Sequence, residues 1–92
     1  MAEIRRTLTV TNAQGLHARP CHAIVSASMA HAAEVRLKLG PKEVNGKSIL
    51  ELMTLQASVG SELEVRTWGA DAEQLMGKLH ELFSDGFGEL AS

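Results

Sequence analysis

Polar and apolar residues alternate in three short stretches, Thr7-Leu8-Thr9-Val10, Val35-Arg36-Leu37-Lys38-Leu39 and Leu63-Glu64-Val65-Arg66. A period of two predicts strands with one buried and one wet face. A shorter strand is expected around Glu43-Val44, folded back on the second through the turn at Gly40-Pro41. Between the first two strands the period becomes helical: Cys21, Ile24, Val25, Ser28, Met29 and Ala32 share one stripe, while His22 and Ser26 face outward. The last helix is predicted to start at Asp71 and Ala72, to repeat Ala72, Leu75, Met76, Leu79 and Phe83, and to stop at Gly86 or Gly88. A helix between strands one and two forces a crossover rather than a hairpin. Strands with a single apolar face need cover on one side only. The pattern therefore predicts an α/β two-layer open-faced sandwich, β-α-β-β-α-β-α, with three helices on one face of a four-stranded sheet, in one domain over residues 1–92.

The middle helix departs from this economy. Ser48 followed by Glu51 reads as a capping box, the serine accepting from an early amide and the glutamate reaching back. Leu52 and Leu55 can point at the sheet, which leaves Ile49, Leu50 and Met53 with no core to enter. Either the whole helix is deeply buried or these three form a docking patch, and a domain this small favours the patch.

Composition narrows the class. With 45% hydrophobic and 22% charged residues the chain is an ordinary globular one, and its net charge of −2 gives no basic stripe for nucleic acid or an anionic membrane. Arg5 and Arg6 are not followed by an apolar signal region, and no run of about 18 apolar residues appears, so neither export nor membrane spanning is expected. A single cysteine forms no internal disulfide, which suits a reducing cytoplasm.

The candidate chemistry lies in Gly15-Leu16-His17-Ala18-Arg19-Pro20-Cys21. Gly15 permits a left-handed turn, and Pro20 belongs in a first helical turn, so the helix begins near Ala18 with His17 at the N-cap. The amides of Ala18 and Arg19 then lack intrahelical partners and carry the positive end of the helix dipole. Arg19 adds a fork of donors that fits phosphate oxygens. A neutral imidazole keeps a nucleophilic nitrogen, and histidine is known to attack phosphorus. A histidine at a helix start also serves as a plain cap, and spacing alone leaves both roles open.

This segment resembles the active-site signature of the HPr family, the histidine-containing phosphocarriers of the bacterial phosphoenolpyruvate-dependent phosphotransferase system. Asn45-Gly46-Lys47-Ser48-Ile49-Leu50-Glu51-Leu52-Met53-Thr54-Leu55 resembles the family's second signature, its regulatory-serine helix. The resemblance implies the strand order 1-4-2-3 and a carrier rather than an enzyme, a monomer without metal or organic cofactor. It implies that His17 accepts the phosphoryl group through Nδ1, with Arg19 and the Ala18 amide stabilising it. Its implied partners are enzyme I as donor and an EIIA-type sugar permease domain as acceptor, docked on Arg19, Ile49, Leu50, Met53 and Thr54. An ATP-dependent kinase and phosphorylase would act on Ser48. A nitrogen-branch or purely regulatory signalling module that moves no sugar stands as the alternative, and the acceptor that decides between them lies outside this sequence.

Two other motifs fail on spacing. Gly46-Lys47-Ser48 looks like the end of a phosphate-binding P-loop, but the glycine required at position 41 is Pro41. His17 and Cys21 share a helical face, yet His22 points elsewhere and further metal ligands are not evident. Cys21 stands where the family usually has alanine, and reads as a small buried hydrophobe or as a thiol whose oxidation would hinder His17. His22 likewise replaces a small residue and faces outward, where a partner could touch it. His31, His80 and Trp68 suggest structural or solvated positions.

Overall fold

The computed structural model describes residues 2–89. Its elements are β1 (Ile4–Thr9), α1 (Ala18–Met29), β2 (Glu34–Leu39), β3 (Lys42–Asn45), α2 (Ile49–Met53), β4 (Glu62–Trp68) and α3 (Ala72–Ser84), followed by a 3-10 turn at Gly86–Gly88. The strands form one sheet in the order β1-β4-β2-β3, with every neighbouring pair antiparallel. Because β4 lies between β1 and β2, those two strands run parallel, and α1 is the crossover that joins them.

Register explains the layers. Leu8 faces Leu63, and Val44, Leu37 and Val65 form a row across β3, β2 and β4, all on the covered side. Against this face α1 places Cys21 and Ile24, α2 places Leu52, and α3 places Leu75, Met76, Leu79 and Phe83, all buried. Thr67 is a buried polar residue in the same layer, and its hydroxyl is satisfied by donating to the Ala72 carbonyl at 3.0 Å. The open face carries charge. Arg66 forks between Glu3 and Glu43, at 2.8 Å each, with its guanidinium 5.5 Å from the Trp68 ring centroid. These are exposed ion pairs and contribute little to stability.

Two expectations need correction. β1 starts at Ile4 rather than Thr7, because Ile4, Arg5 and Arg6 continue the ladder with β4. Arg6 occupies an inward-side position of this edge strand and is exposed, so the apolar alternation breaks where pairing does not. The stripe on α1 ends early as well. Met29 is exposed and Ala32 lies beyond the helix, whose C-cap is Ala30; Ala27 and Ser28 close the buried face instead. The cause sits at the N-cap of α3, where Asp71 accepts from the Ala32 and Ala33 amides at 3.0 and 2.8 Å and pins the exit of α1. These amides hold the Asp71 carboxyl below the ordinary carboxylate range.

Candidate functional site

The loop between β1 and α1 is shaped by one left-handed residue. Gly15 adopts φ 71° and seats its neighbour so that the Leu16 amide donates to the Ala57 carbonyl at 2.8 Å. The buried Asn12 side chain donates to the Gly15 carbonyl at 2.7 Å, which fixes the turn from inside. The chain then enters α1 with His17 as N-cap, in extended conformation, and the Cys21 amide closes the first turn on the His17 carbonyl at 3.1 Å. His17 makes no side-chain cap, so its ring is free of the helix it opens. The Ala18 and Arg19 amides fall before the intrahelical pattern begins.

His17 and Arg19 line one cleft of about 370 Å³, together with Ala13, Gln14 and Glu89. The His17 side chain keeps 37% of its surface exposed, enough for an incoming group to reach the ring. A larger groove along β1 and α3, lined by Ile4, Arg6, Met76 and His80 among others, contains none of the predicted site residues.

Glu89 is the member of this cleft that sequence reasoning missed. Its carboxylate lies 3.1 Å (Oε1) and 3.0 Å (Oε2) from His17 Nε2, and Oε1 also accepts from Asn12 at 3.0 Å. Hydrogen bonding from His17 is the foremost cause that holds the Glu89 carboxyl below its ordinary range; the Asn12 bond and the charges of His17 and Arg19 act in the same direction, and desolvation opposes them. An ionised carboxylate only accepts, so this contact puts a ring proton on Nε2. With the partners 72 positions apart in the chain, no local motif signals the pair. The turn that delivers Glu89 is Gly86–Gly88, where all three residues have positive φ, and the middle one is Phe87.

The second motif folds as a short helix. Ser48 is the N-cap of α2, and its Oγ accepts from the Glu51 amide at 3.2 Å. The reciprocal half of the expected capping box is displaced. Glu51 Oε1 accepts from the Asn45 amide at 3.0 Å, because the Ser48 amide is already donating to the Asn45 carbonyl at 3.1 Å. The expected patch is also smaller than three residues. Leu50 and Met53 are exposed, at 78% and 43%, whereas Ile49 is half-buried and packs on the core, since a five-residue helix turns its first position inward beside Leu52. Thr54 is exposed, with its hydroxyl donating to the Glu51 carbonyl at 2.5 Å. α2 packs on α1, the helix that His17 opens.

Cys21 is fully buried, with Sγ 3.5 Å from the Leu16 carbonyl, and burial pushes its thiol up. That environment makes it a core residue and a poor target for oxidation. His22 is exposed. His31 Nδ1 lies 2.6 Å from the Ala27 carbonyl, at the end of α1. Among the described residues no three His, Cys, Asp or Glu side chains gather as metal ligands, and no helix is long and apolar enough to cross a membrane.

Comparison with known proteins matches the sequence and the fold to one family. Residues 4–85 fit the family model described as the PTS HPr component phosphorylation site. The chain is 36% identical over 88 residues to the phosphocarrier protein HPr of Chlamydia trachomatis serovar D, covering 96% of this chain and 81% of that one. It is 40% identical over 86 residues to HPr of Xylella fastidiosa strain Temecula1, covering 94% and 97%. Among solved structures it is similar to HPr-C-His from Thermoanaerobacter tengcongensis, with a TM-score of 0.87, 32% identity and coverage of 97% and 98% of the two chains. The chain therefore belongs to the HPr family of phosphocarriers of the phosphotransferase system.

Proposed function

We propose that this chain accepts a phosphoryl group on His17 Nδ1 from phosphorylated enzyme I and hands it to an EIIA-type acceptor, as a cytoplasmic intermediary. The observation that carries this reading is the shared cleft: a partly exposed imidazole and a guanidinium meet at the start of a twelve-residue helix. In the transfer, the nitrogen–phosphorus bond of the donor's phosphohistidine breaks and its electron pair stays with the donor. The Nδ1 lone pair of His17 forms the new bond. Such transition states are loose, so the protein's part is placement and charge stabilisation of the equatorial oxygens. Arg19 and the amides of Ala18 and Arg19 supply that stabilisation. Delivery to the acceptor is the same step reversed.

The proposed docking surface is the exposed Leu50 and Met53 of α2, together with Arg19, Ile49 and Thr54. Exposed apolar side chains on a helix packed against α1, which His17 opens, are what a transient partner would cover. In an assay with enzyme I and labelled phosphoenolpyruvate, the protein is expected to take up acid-labile label. Replacing Leu50 and Met53 together by Ser should slow uptake roughly tenfold or more at low protein concentration while leaving the melting temperature unchanged. Acid-stable label, or none, would refute the carrier reading.

Ser48 is the proposed regulatory site. A phosphate there would add up to about two negative charges two residues before Leu50, on the proposed docking surface, so repulsion of an anionic partner would inhibit docking. Ser48→Asp should therefore accept phosphate from enzyme I more slowly than Ser48→Ala. Equal rates for the two variants would remove the regulatory role.

A further inference from the structure

The contact between His17 and Glu89 does more than occupy space in the cleft. Resting on the carrier reading above, we propose that Glu89 is a positioning residue for the transfer. Its carboxylate keeps the ring proton of His17 on Nε2, leaves Nδ1 as the nucleophile, and balances the positive charge that the ring gains as Nδ1 bonds to phosphorus.

Proton and charge bookkeeping supports each part. A neutral imidazole holds one proton, and an ionised carboxylate at 3.0–3.1 Å can be satisfied only by a nitrogen that donates. The proton therefore resides on Nε2, and the lone pair available to an electrophile lies on Nδ1. When that lone pair bonds to phosphorus, the proton stays on Nε2, and the ring becomes an N-phosphorylated imidazolium with one positive charge. A carboxylate already in place meets this charge without reorganisation, as the aspartate of a serine-protease triad does for its histidine.

The rest of the cleft is built to keep that carboxylate there. Asn12 is fully buried and its amide nitrogen donates both to Glu89 Oε1, at 3.0 Å, and to the Gly15 carbonyl, at 2.7 Å. The same side chain thus ties the carboxylate to the turn that seats His17. Glu89 follows directly on the left-handed run at Gly86, Phe87 and Gly88. Phe87 holds φ 56°, an unusual conformation for a bulky residue, and is anchored by its ring, 5.0 Å from the Phe83 centroid in an edge-on contact. Backbone strain held by a buried anchor next to a reactive side chain is a pattern expected at functional positions.

The test compares the unaltered protein with Glu89→Gln, Glu89→Ala and Asn12→Ala. In ¹⁵N-histidine NMR, His17 of the unaltered protein should show the signature of a ring protonated at Nε2. Glu89→Ala should shift it toward a mixture of the two tautomers, while Glu89→Gln, whose amide oxygen still accepts, should retain it. Initial rates of phosphoryl uptake from enzyme I should fall roughly tenfold for Glu89→Ala. Glu89→Gln should lie between, because it keeps the proton's place and loses the charge. A merely structural contact would leave the tautomer unchanged in every variant, and equal tautomer signatures and rates for Glu89→Ala and the unaltered protein would overturn the proposal. The nitrogen spectrum needs no phosphoryl donor, so an unaltered protein that takes no label would sink the carrier reading separately from the role of Glu89.

Discussion

His17→Ala should take up no acid-labile phosphate from enzyme I and phosphoenolpyruvate, at any donor concentration or incubation time. The ring is the only part of the cleft that offers a nucleophilic nitrogen among the residues lining it, since a guanidinium carries donors and no acceptor, and the Gln14 and Glu89 side chains offer no comparable lone pair on nitrogen. Fold should survive, because His17 caps no amide with its side chain and its ring is partly exposed. The variant's thermal unfolding therefore separates loss of chemistry from loss of structure. Arg19→Ala gives the graded companion result. Arg19 is exposed, so its charge works through solvent, and the uptake rate should drop roughly tenfold rather than by the larger factors seen for enclosed arginines. Lysine at position 19 should recover only part of the rate, since a point charge lacks the planar fork. Residual labelling of His17→Ala comparable to that of the unaltered chain would place the phosphoryl group on another residue.

Local chemistry made much of this fold legible. Alternation marked the sheet, and Gly15 with Pro20 placed the start of α1 at Ala18, where it is. The strand order came from resemblance, because period-two patterns record which face is buried and not which strand is next door. The failures share a cause. The spacing of Met29 fits the core face of a longer helix, but Asp71, distant in sequence, ends that helix by capturing the Ala32 and Ala33 amides, and Met29 is exposed. Glu51 satisfies the first half of a capping box, but a neighbouring turn had already taken the second donor. Glu89 was invisible for the same reason: its partner stands at the other end of the chain, and only the closed sandwich brings the turn after α3 to the start of α1. The candidate histidine and its place at the start of α1 could be read from its own neighbours, whereas its contact with Glu89 could not.

Gly15→Ala should be the most damaging single methyl that this chain can receive near the cleft. A Cβ at position 15 would lie 2.4 Å from the Ala57 carbonyl oxygen and 3.0 Å from Ser58 Cα. Both are backbone atoms, so no rotamer change relieves the clash. The left-handed φ of 71° adds about 1–2 kcal/mol for any residue with a Cβ. Overpacking against a fixed neighbour costs about 1–3 kcal/mol, and stretching the Leu16–Ala57 hydrogen bond forfeits about 1 kcal/mol more. The expected loss is roughly 3–6 kcal/mol, which in a domain of this size lowers the melting temperature by more than about 12 °C. Gly40→Ala is the control: φ is 59° there as well, but nothing lies within 4 Å of the added carbon. It should cost only about 1 kcal/mol, since part of the conformational penalty is recovered from a less flexible unfolded chain. Because His17 follows Gly15 by two residues and its amide donates to the Gly15 carbonyl, phosphoryl uptake by Gly15→Ala should also slow at temperatures where the protein is still folded. If the two alanine variants melted together, the contact with Ala57 would not be what seats the histidine. The placement of the His17 ring would then rest more heavily on its contact with Glu89 and on the backbone bonds of His17 itself.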